Sequence, residues 1–209
     1  MNGFVLAGGQ STRMGRDKTL LTLDGQTLVE RALSLLRGLG LEPRICGSRP
    51  DLARFADVVP DNFAGCGPLA GIEAALAVSD SDLNLFIPAD LPGIPADFLR
   101  WLIMRAKTSQ AVATIPRSCD RLEPLCAVYS RRLADGLRSA LSAGRFKVMV
   151  AIEDAAAALR EAVDVFDAEC AAPVTGWPAG PPPAEWFRNV NTPADYATLA
   201  GLEQKAARQ

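Results

Sequence analysis

The chain has 209 residues, 49% of them apolar and 22% charged, with a formal net charge of −2. That balance suits one folded domain with a sizeable core and provides no broad basic footprint for nucleic acid. Histidine is absent, and the five cysteines are odd in number and scattered, with no C-x-x-C pair, so neither a disulfide framework nor a zinc centre is expected. Any chemistry must rest on carboxylates, Lys, Arg, hydroxyls, backbone amides and a hard metal ion.

The first residues, Met1 to Ala7, carry no basic n-region, and no stretch reaches the roughly 18 apolar residues that a membrane span needs. A cytoplasmic location with no membrane partner is expected. In chain order, Phe4-Val5-Leu6-Ala7 reads as a buried strand that leaves into Gly8-Gly9. Thr27 to Gly38 reads as a helix capped by Thr27, with Leu28, Ala32, Leu35, Leu36 and Leu39 on one face and Gly38 and Gly40 at its end. Strands follow at Pro43 to Cys46 and Asp57 to Val59. A helix spans Pro68 to Val78, with Leu69, Ile72, Ala75 and Leu76 inward.

Leu83 to Ile87 reads as a central strand, Pro95 to Lys107 as a helix, and Ala111 to Ile115 and Leu125 to Tyr129 as strands. Helices at Arg131 to Ala143 and Phe146 to Ala155 precede a last strand at Ala162 to Phe166. Ala171 to Glu185, rich in Pro and Gly, reads as a long irregular loop. Thr192-Pro193-Ala194-Asp195 opens a terminal helix. Alternating strands and helices predict an α/β fold: a Rossmann-like three-layer arrangement around a mostly parallel, mixed sheet, in one domain covering residues 1–209. Ligands of such sheets bind at the carboxyl ends of the strands.

Four segments carry candidate chemistry. The first runs from Leu6 to Lys18. Glycines at a strand end let the backbone approach a ligand, and Arg13, Arg16 and Lys18 concentrate positive charge there, as a polyphosphate requires. The pattern is neither a Walker A loop nor a G-x-G-x-x-G fingerprint, which disfavours a dinucleotide oxidoreductase. The alternative is a surface loop of solvated charges. The second segment, Pro88-Ala89-Asp90-Leu91-Pro92, places a carboxylate after a central strand. Asp90 there suits either Mg2+, which takes one or two carboxylates plus phosphate oxygens, or a turn before the next helix. The third is Asp61 with the glycine-rich run Gly65 to Gly71, which can close over a base or ribose. The fourth, Asn189-Val190-Asn191-Thr192-Pro193, can orient a metal ligand or phosphate, or simply cap a helix.

Together these stretches resemble the molybdenum cofactor guanylyltransferase family, within the wider Rossmann-like nucleotidyltransferases. L-A-G-G, R-M-G and D-K run from Leu6 to Lys18; G-P-L-A-G spans Gly67 to Gly71; the D-x-P metal segment is Asp90 to Pro92; N-V-N-T-P is Asn189 to Pro193. The resemblance implies transfer of GMP from GTP to molybdopterin, with pyrophosphate as the leaving group and Mg2+ as cofactor. It also implies contact with other molybdenum cofactor biosynthesis proteins or with the apo-enzymes that receive the product.

On the same resemblance, Leu6, Ala7, Gly8 and Gly9 hold nucleotide base and phosphate. Lys18 and Arg13 face the phosphates, Asp61 and Gly71 the nucleoside, and Asp90 the metal. Asn189 and Asn191 support the metal and phosphates. L-A-G-G rather than L-A-A-G favours guanine over cytosine. Three departures stand out: Cys46-Gly47-Ser48 replaces an asparagine common in relatives, the loop at Ala171 to Glu185 is long, and the metal segment reads P-A-D rather than the P-C-D of some relatives, with Asp90 retained. Arg117, Arg121, Arg145 and Lys147 are acceptor-site candidates. Rival readings are a transferase of the same fold using CTP or a sugar-phosphate acceptor, and a non-catalytic nucleotide-binding protein.

Overall fold

The structure is a computed structural model in which residues 1–8, 17–169, 182–190 and 195 are described. Strand β1 (Asn2–Leu6) leads, beyond Lys18–Leu20, a single 3-10 turn, to a short hairpin of β2 (Thr22–Leu23) and β3 (Gln26–Thr27). Then come α1 (Leu28–Gly38), β4 (Pro43–Cys46), β5 (Val58–Val59), α2 (Pro68–Val78), β6 (Leu83–Pro88) and α3 (Ala96–Ser109). A second hairpin joins β7 (Ala113–Ser118) to β8 (Arg121–Leu122), followed by β9 (Ala127–Ser130). Helices α4 (Ala134–Ser142) and α5 (Val148–Leu159), strand β10 (Val163–Asp167) and a short helical turn α6 (Pro183–Trp186) complete the described elements.

The main sheet has the order β10-β7-β9-β6-β1-β4-β5. Pairing is parallel for β1 with β4 and β6, for β4 with β5, and for β7 with β10; β9 is antiparallel to both β6 and β7. Two successive reversals at β9 return β7 to the direction of β6. The ends of β1, β4, β5, β6, β7 and β10 therefore share one edge of a three-layer α/β fold, as expected from sequence.

The alternation of side chains along β1 and β6 builds both layers. Phe4 and Leu6 of β1 and Phe86 of β6 face the cluster beneath α2, α4 and α5. Val5 and Ala7, with Leu85 and Ile87, face the opposite cluster beneath α1 and α3. The Phe4 and Phe86 rings, paired in register, stack at 5.1 Å, and Tyr129 of β9 continues the row at 5.6 Å from Phe86.

Helix α1 starts as expected at Thr27, and Glu30 completes a capping box with it. Its buried face is Leu28, Val29, Ala32, Leu33 and Leu36. Leu35 and Leu39 are only partly covered, so the inward face is rotated from the sequence expectation. Helix α2 is buried from Leu69 to Leu76, including Glu73, rather than along one stripe. Its central position between the sheet and α4 demands this.

The two hairpins escaped the sequence reading because β2, β3 and β8 are each only two residues long. The first turns at Asp24 (φ 47°) and Gly25 (φ 79°), a left-handed pair of the kind that matches strand twist in two-residue hairpins. Pro183 to Glu185, expected to be irregular, form the helical turn α6, with Pro183 suited to its first position. Residues 171–181 of the expected loop and the start of the terminal helix at Thr192 lie outside the described residues.

Candidate active site

The ends of β1 and β6 are locked together. Leu6 pairs with Pro88, and the Ala89 amide donates to the Leu6 carbonyl at 3.1 Å. This places Gly8, two residues past β1, and Asp90, two residues past β6, on neighbouring strand exits. The Asp90 carbonyl in turn accepts the Val190 amide at 3.0 Å, which brings the half-buried Asn189 beside it in the chain.

The Asp90 carboxyl is itself half-buried. Burial pushes its pKa above the usual carboxylate range; its own backbone amide and the Lys18 ammonium pull it back down. Lys18 opens the 3-10 turn Lys18–Leu20, and Asp17 caps that turn: its Oδ1 accepts from the Thr19 amide at 3.0 Å and the Thr19 hydroxyl at 2.7 Å.

On the far side of β1, Gly47 follows β4 with φ 131°, and its amide donates to the Val59 carbonyl at 3.1 Å. A Cβ at Gly47 would stand 3.1 Å from both the Cα and the N of Gly8, so only glycine fits at this backbone crossing. Gly71, in the first turn of α2, faces Leu6, Cys46 and Asp61; a Cβ there would sit 3.4 Å, 3.4 Å and 3.5 Å from them. Asp61 Oδ1 is buried with no hydrogen-bond partner among the described residues. Burial raises the Asp61 pKa, and a hydrogen bond from the Ser48 backbone partly offsets this. Next to it, Asn62 donates to Glu73, a fully buried acid whose other oxygen takes the Arg138 guanidinium at 2.8 Å.

Of the residues singled out in the sequence, Leu6, Ala7, Gly8, Lys18, Asp61, Gly71, Asp90 and Asn189 line this one edge. Gly9, Arg13 and Asn191 lie outside the described residues. The acceptor candidates are engaged in ion pairs where their partners are defined. Arg117 holds Asp167 at 2.6 Å, Arg121 holds Glu123 at 2.7 Å and also donates to the Phe187 carbonyl, and Arg145 holds Asp154. Lys147 stands exposed before α5. Arg117 and Arg121 flank the β7–β8 turn on the carboxyl edge.

The sequence reading missed Arg49. Its guanidinium, only 12% exposed, reaches Asp17, Asp51, Thr19 and the Ala7 carbonyl. No spacing signal ties Arg49 to Asp17, because the pairing is created only when β4 lies beside β1.

The sequence that builds this edge matches a described family. The model of the MobA-like NTP transferase domain covers residues 3–160 of the chain. The chain belongs to the MobA-like NTP transferase family. It is therefore a nucleotidyltransferase. The chain is also similar to the probable molybdenum cofactor guanylyltransferase of Opitutus terrae, 38% identical over 151 residues, spanning 66% of this chain and 74% of that protein. The molybdenum cofactor guanylyltransferase of Syntrophotalea carbinolica is 34% identical over 145 residues, spanning 68% of this chain and 69% of that protein. The molybdopterin-guanine dinucleotide biosynthesis protein A from Archaeoglobus fulgidus superposes with a TM-score of 0.78 at 27% identity, covering 98% of this chain and 100% of that one. Among the described residues, no helix is long and apolar enough to cross a membrane.

Proposed function

We propose that this MobA-like transferase moves GMP from GTP to the terminal phosphate of molybdopterin. A phosphate oxygen of molybdopterin attacks the α-phosphorus of GTP; the bond from that phosphorus to the β-phosphate oxygen breaks, and pyrophosphate leaves. The observation that carries the reading is the tie between the exits of β1 and β6, where Leu6 pairs with Pro88 and takes the Ala89 amide, so that the Gly8 turn and Asp90 leave on neighbouring strands. A phosphate monoester is largely ionised near neutral pH, with a second pKa of about 6. The nucleophile therefore needs little help from a base, which suits a chain without histidine.

The protein's task is alignment and charge neutralisation. Backbone of the Leu6 to Gly9 segment holds the nucleotide, with Gly47 permitting close approach behind Gly8. Lys18, with Arg13, stabilises charge on the departing pyrophosphate. Asp61, beside Gly71, meets the nucleoside with a buried acceptor that a base or ribose donor can satisfy. Asn189 and Asn191 support the phosphates from the Val190 segment.

A half-buried carboxylate raised by desolvation gains from a cation, and an oxygen donor fits a hard one, so Asp90 would hold Mg2+. When bound, Mg2+ supplies Lewis-acid neutralisation at the phosphate oxygens.

Pyrophosphate release tests the proposal, measured with molybdopterin and GTP or CTP, with the product identified by mass. GTP-dependent release and a guanine dinucleotide are expected. Preference for CTP would overturn the guanine assignment, and silence with both nucleotides would overturn the reaction.

A further inference from the structure

We propose that Arg49 is a positioning residue that sets where Lys18 stands over the nucleotide phosphates; this rests on the reading of Lys18 given above. Arg49 follows the left-handed Gly47 and folds back over the exit of β1. Its backbone is pinned at both ends: its amide donates to the Gly47 carbonyl at 2.8 Å, and its carbonyl accepts the Leu52 amide at 3.0 Å. The side chain is consequently held in one place and nearly buried.

From that place one guanidinium ties together the two ends of the glycine-rich segment. Nη1 reaches the Ala7 carbonyl at 3.4 Å, at the start of the segment. Nη2 pairs with Asp17 Oδ2 at its finish, and lies 3.4 Å from the Thr19 hydroxyl. Nε and Nη2 also hold Asp51 at 2.9 Å and 2.7 Å, which fixes the plane of the fork.

The Asp17 carboxylate divides its oxygens: Oδ2 takes Arg49, while Oδ1 caps the turn that carries Lys18. Moving Arg49 therefore moves the cap, and moving the cap moves Lys18. A lysine cannot replace it, because a single ammonium lacks the planar fork that serves Asp17, Asp51 and Ala7 at once. Displacement of a catalytic group by about 1 Å can cost about 100-fold in rate.

A double-mutant cycle decides the matter, with kcat/KM for GTP and the melting temperature measured on each purified variant. Arg49→Ala and Arg49→Lys are each expected to lower kcat/KM by about 10–100-fold. In the Lys18→Ala background the same Arg49 change is expected to cost under about 3-fold, because the group it positions is gone. Asp17→Asn, which keeps shape and weakens the tie, is expected to lower kcat/KM in the same direction by about 3–10-fold; it carries the test if Arg49→Ala does not fold. Losses that multiply independently in the double variant would overturn the inference alone. So would unchanged kcat/KM in Arg49→Ala, or in Asp17→Asn where that variant carries the test. Unchanged kcat/KM in Lys18→Ala would overturn the Lys18 reading and the inference with it.

Discussion

Asp61 Oδ1 is buried against the bare Cα of Gly71, 3.5 Å from where a Cβ there would stand, and nothing among the described residues donates to it. An unsatisfied buried acceptor costs about 1–3 kcal/mol, so the protein carries instability at a position suited to a ligand donor. Burial also disfavours the Asp61 charge, so Asp61→Asn, which removes that charge, is expected to raise the melting temperature at neutral pH by about 2–4 °C for each kcal/mol of desolvation relieved, while weakening GTP binding. Thermal unfolding with and without GTP checks both halves.

The same residue predicts a pH dependence. Burial raises the folded-state pKa of Asp61 above its unfolded value, so the folded protein holds this proton more tightly. Its contribution to stability is therefore lost as pH rises from the unfolded value through the folded one. The advantage of Asp61→Asn over the parent should vanish below the ordinary carboxylate range, grow through the window above it, and level off. A melting series from acid to neutral pH that shows a constant difference would contradict this origin.

Asp90→Asn and Lys18→Ala are each expected to lower kcat by at least about 100-fold, the scale of losing one preorganised charge contact. The circular dichroism spectrum should be unchanged, because both side chains sit at strand and turn exits rather than within the packed clusters. Steady-state pyrophosphate release reads the loss.

A structural prediction concerns Gly136 in α4. A Cβ there would stand 2.5 Å from Ala155 Cβ and 3.0 Å from Ala155 Cα of α5. Gly136→Ala must push α4 and α5 apart, at an overpacking cost of about 1–3 kcal/mol. The midpoint of urea unfolding should fall, and kcat should hold near the parent value.

Much of this fold was legible from pattern. The apolar runs of β1 and β6, the capping Thr27 and the Pro68 start of α2 were sufficient because each signal is local. What local pattern could not show is instructive. The antiparallel insertion of β9 depends on pairing with Phe86 and Thr114, far away in sequence. The rotation of α1 depends on which of its leucines the sheet covers. At this edge, the places of Asp90 and Lys18 follow from local pattern, the one just past the apolar strand β6 and the other just after the capping Asp17. Arg49 was not legible in this way, since its four acceptors come from three separate segments, and neither was Glu73, a buried acid in an otherwise apolar helix. The orphaned oxygen of Asp61 is a property of packing alone.

The central proposition is that one polyphosphate lies between the Gly8 turn, Lys18 and Asp90. The most direct measurement is a crystal structure with Mg2+ and a non-hydrolysable GTP analogue. The expected map shows the phosphates against the Gly8 backbone and the Lys18 ammonium, with the metal on Asp90. Phosphates bound elsewhere, or a metal with no contact to Asp90, would contradict the account.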